Sequence, residues 1–352
     1  MTLQAPTINN STTKSLPLHL RRLLSSKVQS LCIIQDGLFC TTIFAATRLT
    51  GESVAVKLIS KSQNKENLQL DEATILGSLS HPHIISLTEL YETFDYTVML
   101  TPLASLGDLH SFINNCTIVE RSARDISSQL LCALAYIHSS GIIHCDIRPR
   151  NLLVFEHKSL FIIKICDFGS AVILKDGLMT RKFVAGSSQY LAPELLLREP
   201  FEHSIDVFAA GVLIFRLIGG YDPIQHSRES KRLFPRGDFD LEFPGSCWGH
   251  VSDACKFFLQ KCMWGISKGR LRASEALHCE WLKPGFQFPG NFFSPTLPPN
   301  PLINFWPAEL LFPGLRFFNL HAKMSFLPEN ISRGRKIQIA NPETWALTAW
   351  NL

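Results

Sequence analysis

Apolar and polar positions follow two different periods along this chain, and the change of period divides it. From about residue 31 to residue 103 the pattern is strand-like with one helical interruption. Residues 53–57, Ser-Val-Ala-Val-Lys, alternate as a strand does, and residues 96–101 read as another strand. Between them, residues 67–79 carry Leu68, Ile75, Leu76 and Leu79 at helical spacing. His81-Pro82 ends that helix, because proline disfavours helical backbone in the residue before it.

From Gly107 to about Leu282 the period is mostly helical. Residues 122–139 place Ile126, Leu130, Leu131, Leu134 and Ile137 on one face. Residues 206–217 are almost wholly apolar and predict a buried helix, and residues 252–263 predict an amphipathic one. Residues 152–155 and 161–165 are short apolar strands. A small strand-rich half followed by a larger helical half predicts an α+β chain with two lobes.

Both flanks differ in character. Residues 1–28 are rich in Ser and Thr, hold no acid, and carry Lys14, Arg21, Arg22 and Lys27. A flexible extension and an organellar transit peptide share this composition, and the extension is the preferred reading. Residues 284–352 hold ten of the 20 prolines together with repeated Phe and Trp, and no sustained period. Such aromatic density is unusual for a solvated tail; three readings stay open, that the segment packs on the domain before it, binds a partner as a docking element, or folds poorly and is prone to aggregate.

Composition adds mainly exclusions. Of the 352 residues, 46% are hydrophobic and 18% charged, which suits a folded chain rather than a disordered one. A net charge of +4, spread along the sequence, gives no reason to expect nucleic acid binding. No run of 18 apolar uncharged residues occurs, so no membrane span is expected. The ten cysteines lack C-x-x-C or zinc-ligand spacing, and several, such as Cys132 and Cys166, sit in apolar runs. They read as free thiols in a reducing compartment. A cytoplasmic location is expected, with the nucleus as the alternative.

The candidate chemistry is concentrated in two motifs. Residues 144–151 read H-C-D-I-R-P-R-N, and D-F-G follows at Asp167, Phe168 and Gly169. Together they set two carboxylates, Asp146 and Asp167, and one amide, Asn151, around two short strands. Lys57 closes V-A-V-K, Glu72 lies on the helix before H-P-H-I-I, and Ala192-Pro193-Glu194 follows G-S-S-Q-Y-L. Asp206 stands in I-D-V-F-A-A-G, and Arg270 in G-R-L-R-A-S-E-A-L.

In this order the motifs resemble the catalytic domain of eukaryotic protein kinases, serine/threonine type. The stretch from Phe239 to Ala254 is most similar to the calcium/calmodulin-dependent kinase-like group. The resemblance implies a kinase domain over residues 29–283, with an N-lobe at 29–102 and a C-lobe at 103–283. It implies ATP and Mg2+ as cofactors and a protein substrate whose hydroxyl receives the γ-phosphate. Asp146 then corresponds to the catalytic base, Lys57 to the phosphate-holding lysine, and Glu72 to its partner. Arg148 takes the place of the lysine that contacts the γ-phosphate. Asn151 and Asp167 correspond to the metal ligands, and Gly37, Ala55 and Leu153 complete the nucleotide-binding set. Glu194 and Arg270 correspond to a buried ion pair, and Asp206 to the aspartate that supports the catalytic loop. Calmodulin is not expected as a partner, because Pro313-Gly314 breaks the helix a target segment would need.

Several positions depart from that pattern. The glycine-rich loop reads Q-D-G-L-F-C from Gln35 to Cys40 and keeps only Gly37, which should weaken backbone approach to phosphates. Thr42 stands in place of an apolar valine, Phe208 in place of tryptophan, and Pro102 removes one backbone donor. The alternative to an active enzyme is therefore a pseudokinase, a binding or scaffold module. Cys145 replaces the arginine that would clamp an activation-segment phosphate. Any phosphoryl transfer should accordingly survive replacement of Thr180, Ser187 and Ser188 by alanine. Loss of turnover in that triple variant with ATP binding intact would contradict this.

Overall fold

The computed structural model describes residues 16–36, 41–61, 72–114, 118–157, 160–174, 189–223 and 241–283. They fall in two compact units. One contains the described residues up to Ser80 and Ile85–Ala104; the other contains His81–Ile84 and those from Ser105 onward.

The first unit is a five-stranded antiparallel sheet: β1 (Val28–Asp36), β2 (Thr41–Arg48), β3 (Ser53–Ser60), β4 (Glu89–Glu92) and β5 (Tyr96–Pro102). Its spatial order is β1-β2-β3-β5-β4. The alternation expected at 53–57 is realised in β3. Val54, Val56 and Leu58 are buried on one face, which leaves Ala55 and Lys57 half-buried on the other. The buried face joins Phe44, Leu31, Val98 and Leu100 in one hydrophobic cluster.

That cluster also contains Leu20 and Leu24, four residues apart on helix α1 (Leu18–Ser25). The extension inferred for residues 1–28 therefore ends earlier than the sequence suggested. Its last turns are structural, because two leucines on one helical face complete the sheet's apolar surface. The single further helix of this unit among the described residues is α2 (Glu72–Ser78); residues 67–71 of the expected helix lie outside the described residues.

The segment after α2 belongs to the second unit. His83 O accepts from Ile165 N at 2.9 Å, and His83 Nδ1 donates to Ile163 O at 3.1 Å. Lys164 Nζ donates to Pro82 O at 2.6 Å, and the His81 ring stacks on Tyr136 with centroids 5.1 Å apart. His81-Pro82 thus ends a helix, as expected, and also ties the chain to the hairpin β7 (Leu152–His157) and β8 (Leu160–Ile165).

The second unit is built on α3 (Glu120–Ser139) and α4 (Ser204–Gly219). Helix α4 is buried almost all round, as its apolar run predicted. It ends at Gly220, which takes φ 76° and donates its N–H to Arg216 O at 2.9 Å. A side chain at Gly211 would lie 2.6 Å from Met263 Cγ, so glycine is what lets α4 approach helix α5 (Asp253–Cys262). Ser252 caps α5 with its hydroxyl, and the buried Glu120 carboxylate binds Ser252 N at 3.0 Å and Trp281 Nε1 at 2.8 Å. One acid therefore joins three segments far apart in sequence. Burial pushes the Cys132 thiol up to about 11, in keeping with a structural role. No helix among the described residues is long and apolar enough to cross a membrane.

Leu20 is fully buried whereas Leu18 on the same helix is 61% exposed. Leu20→Ala should cost about 2–5 kcal/mol in denaturant unfolding, against less than about 0.5 kcal/mol for Leu18→Ala. Equal effects would remove α1 from the core.

Candidate active site

The loop that follows strand β6 (Ile142–Ile143) is hung from one buried carboxylate. Asp206, in the first turn of α4, accepts from His144 N at 2.8 Å and Cys145 N at 3.0 Å. His138 Nε2 approaches the same carboxylate at 2.9 Å. Burial pushes the Asp206 pKa up, but the His138 hydrogen bond and charge and the His144 N–H outweigh it and leave it lowered. Between those two N–H groups the backbone is forced, since Cys145 sits at φ 65°. A non-glycine residue there costs roughly 1–2 kcal/mol.

From this anchor the reactive groups follow. His144 Nδ1 accepts from Asp146 N at 3.2 Å, so the ring proton is on Nε2, which donates to Cys166 O at 3.1 Å. The same ring meets Phe168 edge-on, with centroids 4.9 Å apart. Asn151 is buried, and its Nδ2 donates to Asp146 O at 2.8 Å and Asp146 Oδ2 at 2.7 Å. Cys166 N donates to Asn151 O at 2.9 Å, which joins the loop to the strand leading into D-F-G. Asp167 follows, exposed and at φ 62°, while Phe168 is buried beneath it. Asp146, Asn151 and Asp167 are thus carried by one hydrogen-bonded frame.

Arg148 lies beside Asp146, its Nε 3.7 Å from Oδ2, which is too long for a hydrogen bond. That Nε is buried and has no hydrogen-bond partner among the described residues. An orphaned guanidinium N–H beside a carboxylate suits an incoming anion such as a phosphate oxygen. The donor set also suits magnesium. Asn151 has committed its amide nitrogen to Asp146, which leaves its oxygen to offer, and Asp167 adds a carboxylate. Hard cations that retain water need only one or two such protein oxygens besides phosphate. Among the described residues no three His, Cys, Asp or Glu side chains gather as a metal cage.

In the first unit Lys57 Nζ bonds both carboxylate oxygens of Glu72, at 2.8 and 2.7 Å. Ala55 lies half-buried on the same face of β3, and Leu153 is half-buried on β7 of the second unit. Gly37, and with it the interior of the eroded glycine loop, lies outside the described residues, as do Thr180, Ser187 and Ser188.

The second expected ion pair is formed. Arg270 meets Glu194 through Nη1 at 2.7 Å and Nη2 at 3.1 Å, and reaches Ser204 O and Trp264 O at 3.0 Å each. Its guanidinium lies over the Phe208 ring at 5.0 Å, so the residue that replaces tryptophan still offers an aromatic face.

A family model described as protein kinase domain matches residues 29–282. The chain belongs to the protein kinase family. Its serine/threonine type and its likeness to the calcium/calmodulin-dependent kinase-like group, both expected from the sequence, hold. Serine/threonine-protein kinase DCLK2 of Mus musculus is 34% identical over 263 residues, covering 71% of this chain and 34% of that protein. Serine/threonine-protein kinase DCLK3 of Mus musculus is 33% identical over 259 residues, 71% of this chain and 32% of that protein. Serine/threonine-protein kinase H1 homolog of Pinctada fucata is 30% identical over 262 residues, 74% of this chain and 62% of that protein. The kinase-family chain spans about a third of the length of the first two relatives.

Sequence reasoning missed His138 as a partner of Asp206. Its signal was local: a histidine at the end of α3, six residues before the loop histidine, brought back by the turn at Gly141. His203 was missed as well; its ring lies 4.8 Å from that of His138. Burial, with help from the His138 charge, lowers the His203 pKa to about 4. Burial likewise lowers His81 to about 3 and His83 to about 4. A histidine held neutral in the fold takes up its proton only on unfolding. Stability contributed by these groups is therefore complete above about pH 6.5 and is lost as pH falls towards 4. Each histidine should add about 1.4 kcal/mol per pH unit to that slope. Unfolding free energy measured from pH 7 to pH 4 should fall, and His203→Gln should flatten the curve by about one proton. An unchanged slope would mean that His203 is not buried neutral.

Proposed function

We propose that the chain is an ATP- and magnesium-dependent serine/threonine protein kinase that moves the γ-phosphoryl group of ATP onto protein hydroxyls. The observation that carries this reading is the Asp146–Asn151 clasp, in which the base and a metal-ligating amide are fixed to each other at 2.7 Å.

Asp146 accepts the hydrogen of the incoming serine or threonine hydroxyl and turns its oxygen towards phosphorus. As the new P–O bond forms, the bond to the leaving ADP oxygen breaks and the proton ends on Asp146. Asn151 and Asp167 would hold magnesium, which offsets phosphate charge. Lys57, steadied by Glu72, would hold the α- and β-phosphates, and the orphaned N–H of Arg148 would meet the γ-phosphate. Gly37 would contribute backbone, and Ala55 and Leu153 apolar surface for the base. Most of the acceleration comes from positioning and charge, so each group should matter severely.

Radiolabelled transfer to a mixed protein substrate should be measurable for the native chain and should fall by about a hundredfold or more in Asp167→Ala and in Asp146→Asn. Equal transfer in native and variant proteins would sink this reading.

A further inference from the structure

On and just after α5, three large apolar side chains stand in solvent: Phe257 is 58% exposed, Trp264 43% and Ile266 53%. Lys261 joins the two aromatic ones, its Nζ 5.3 Å from the Phe257 ring centre and 5.7 Å from that of Trp264. The platform is held rigidly. A side chain at Gly269 would lie 2.7 Å from Trp264 Cδ1, so the indole rests on bare backbone. Trp264 O accepts from Arg270 Nε at 3.0 Å, and Arg270 is itself fixed by Glu194. Side chains already immobilised lose little freedom when something covers them.

The described chain ends beside this helix. The Trp281 ring packs on Phe258 of α5, with centroids 5.0 Å apart. Arg124 of α3 then grips the backbone, donating through Nε to Trp281 O at 2.8 Å and through Nη2 to Leu282 O and Lys283 O. Residues 284–308 come next in the sequence and lie outside the described residues. They hold seven prolines and six aromatic side chains, and no acidic or basic one.

Proline-rich chain favours the polyproline II form, which is ordered in advance and leaves its carbonyls without internal hydrogen bonds. Aromatic surface binds such chain by stacking on proline rings, and a neighbouring donor meets a carbonyl. Trp264 and Phe257 supply the rings, and Lys261 supplies the donor. An uncharged segment also brings no cation against Lys261. At about 3.1 Å per residue, 25 residues reach on the order of 75 Å, against roughly 15 Å for the whole of α5. Reach is therefore no obstacle, and the covalent tether keeps the local concentration of the segment high.

We propose that Phe257, Lys261 and Trp264 form an intramolecular docking site for the proline- and aromatic-rich residues 284–308 of the same chain. The inference is independent of turnover and of the kinase reading.

Hydroxyl-radical footprinting of the full chain, read residue by residue in a mass spectrometer, tests it. Trp264 should be oxidised about threefold more slowly in the native chain than in a variant with every Phe and Trp of residues 284–308 replaced by serine, the ratio for a site covered about two-thirds of the time. Trp281, fully buried, reports in each sample that the fold is intact. In the opposite direction, Phe257→Ser and the double variant Phe257→Ser/Trp264→Ser should raise the oxidation of Trp306. Equal oxidation of Trp264 in the native chain and the serine variant overturns the inference. Protection of Trp264 that grows with protein concentration overturns it in favour of a second copy of the chain. Trp306 oxidation unchanged in both platform variants overturns it as well, because the segment then has another seat.

Discussion

The carboxylate of Asp206 is the constraint on which the catalytic frame depends. It lies in a helix that is apolar almost all round, where a bare charge would be prohibitively costly. Three donors offset that cost, and two of them are backbone N–H groups of the very loop that carries Asp146. The exchange is mutual. The loop supplies hydrogen bonds that keep the acid ionised, and the acid holds the loop in a backbone conformation that Cys145 would not otherwise adopt. From there each step fixes the next: His144 orients Asp146 N and Cys166 O, and Asn151 locks Asp146.

The same end of α4 serves a second purpose. Arg270 binds Ser204 O two residues before Asp206 and lies over Phe208 two residues after it. Its bidentate bond to Glu194 brings the A-P-E segment to that helix. Loss of Glu194 would leave the Arg270 charge buried against backbone carbonyls, and loss of Arg270 would leave the Glu194 carboxylate buried without its cation, each at a cost on the order of 3–5 kcal/mol. Helix α4 therefore holds the catalytic loop through an acid and the A-P-E segment through an arginine, on consecutive turns. In the other unit Lys57 and Glu72 need no such scaffold. Strand alternation alone turns Lys57 away from the apolar core, onto the face where Glu72 meets it.

Strong periods made the main elements legible. Residues 53–57, 122–139 and 206–217 lie within observed elements because a single face, or a fully buried run, decides each of them. Helix α1 was harder to read. Eight residues give little more than two turns, and its four leucines sit among basic residues that suggested a solvated extension. Asp146, Asn151 and Asp167 could be picked out by resemblance because their order in the chain is distinctive. His138 and His203 could not, because each acquires its role from a neighbour 65 to 68 residues away in sequence. The surroundings of His203 in the chain carry no trace of its contact.

Cys145 shows how the loop can lose a residue of regulatory type without losing its shape. What holds position 145 is its N–H on Asp206, and that bond is indifferent to the side chain. The thiol is buried and touches Ile143 O at 3.7 Å, so it fills space where a guanidinium would have needed a counter-charge. Loop geometry and phosphate clamping are therefore separable properties of the motif, one written in the backbone and the other in a side chain. By the same logic Arg148, whose Nε has no hydrogen-bond partner among the described residues, keeps a donor beside Asp146. The chemistry of the loop resides in groups the fold either fixes completely or leaves with one bond still to make.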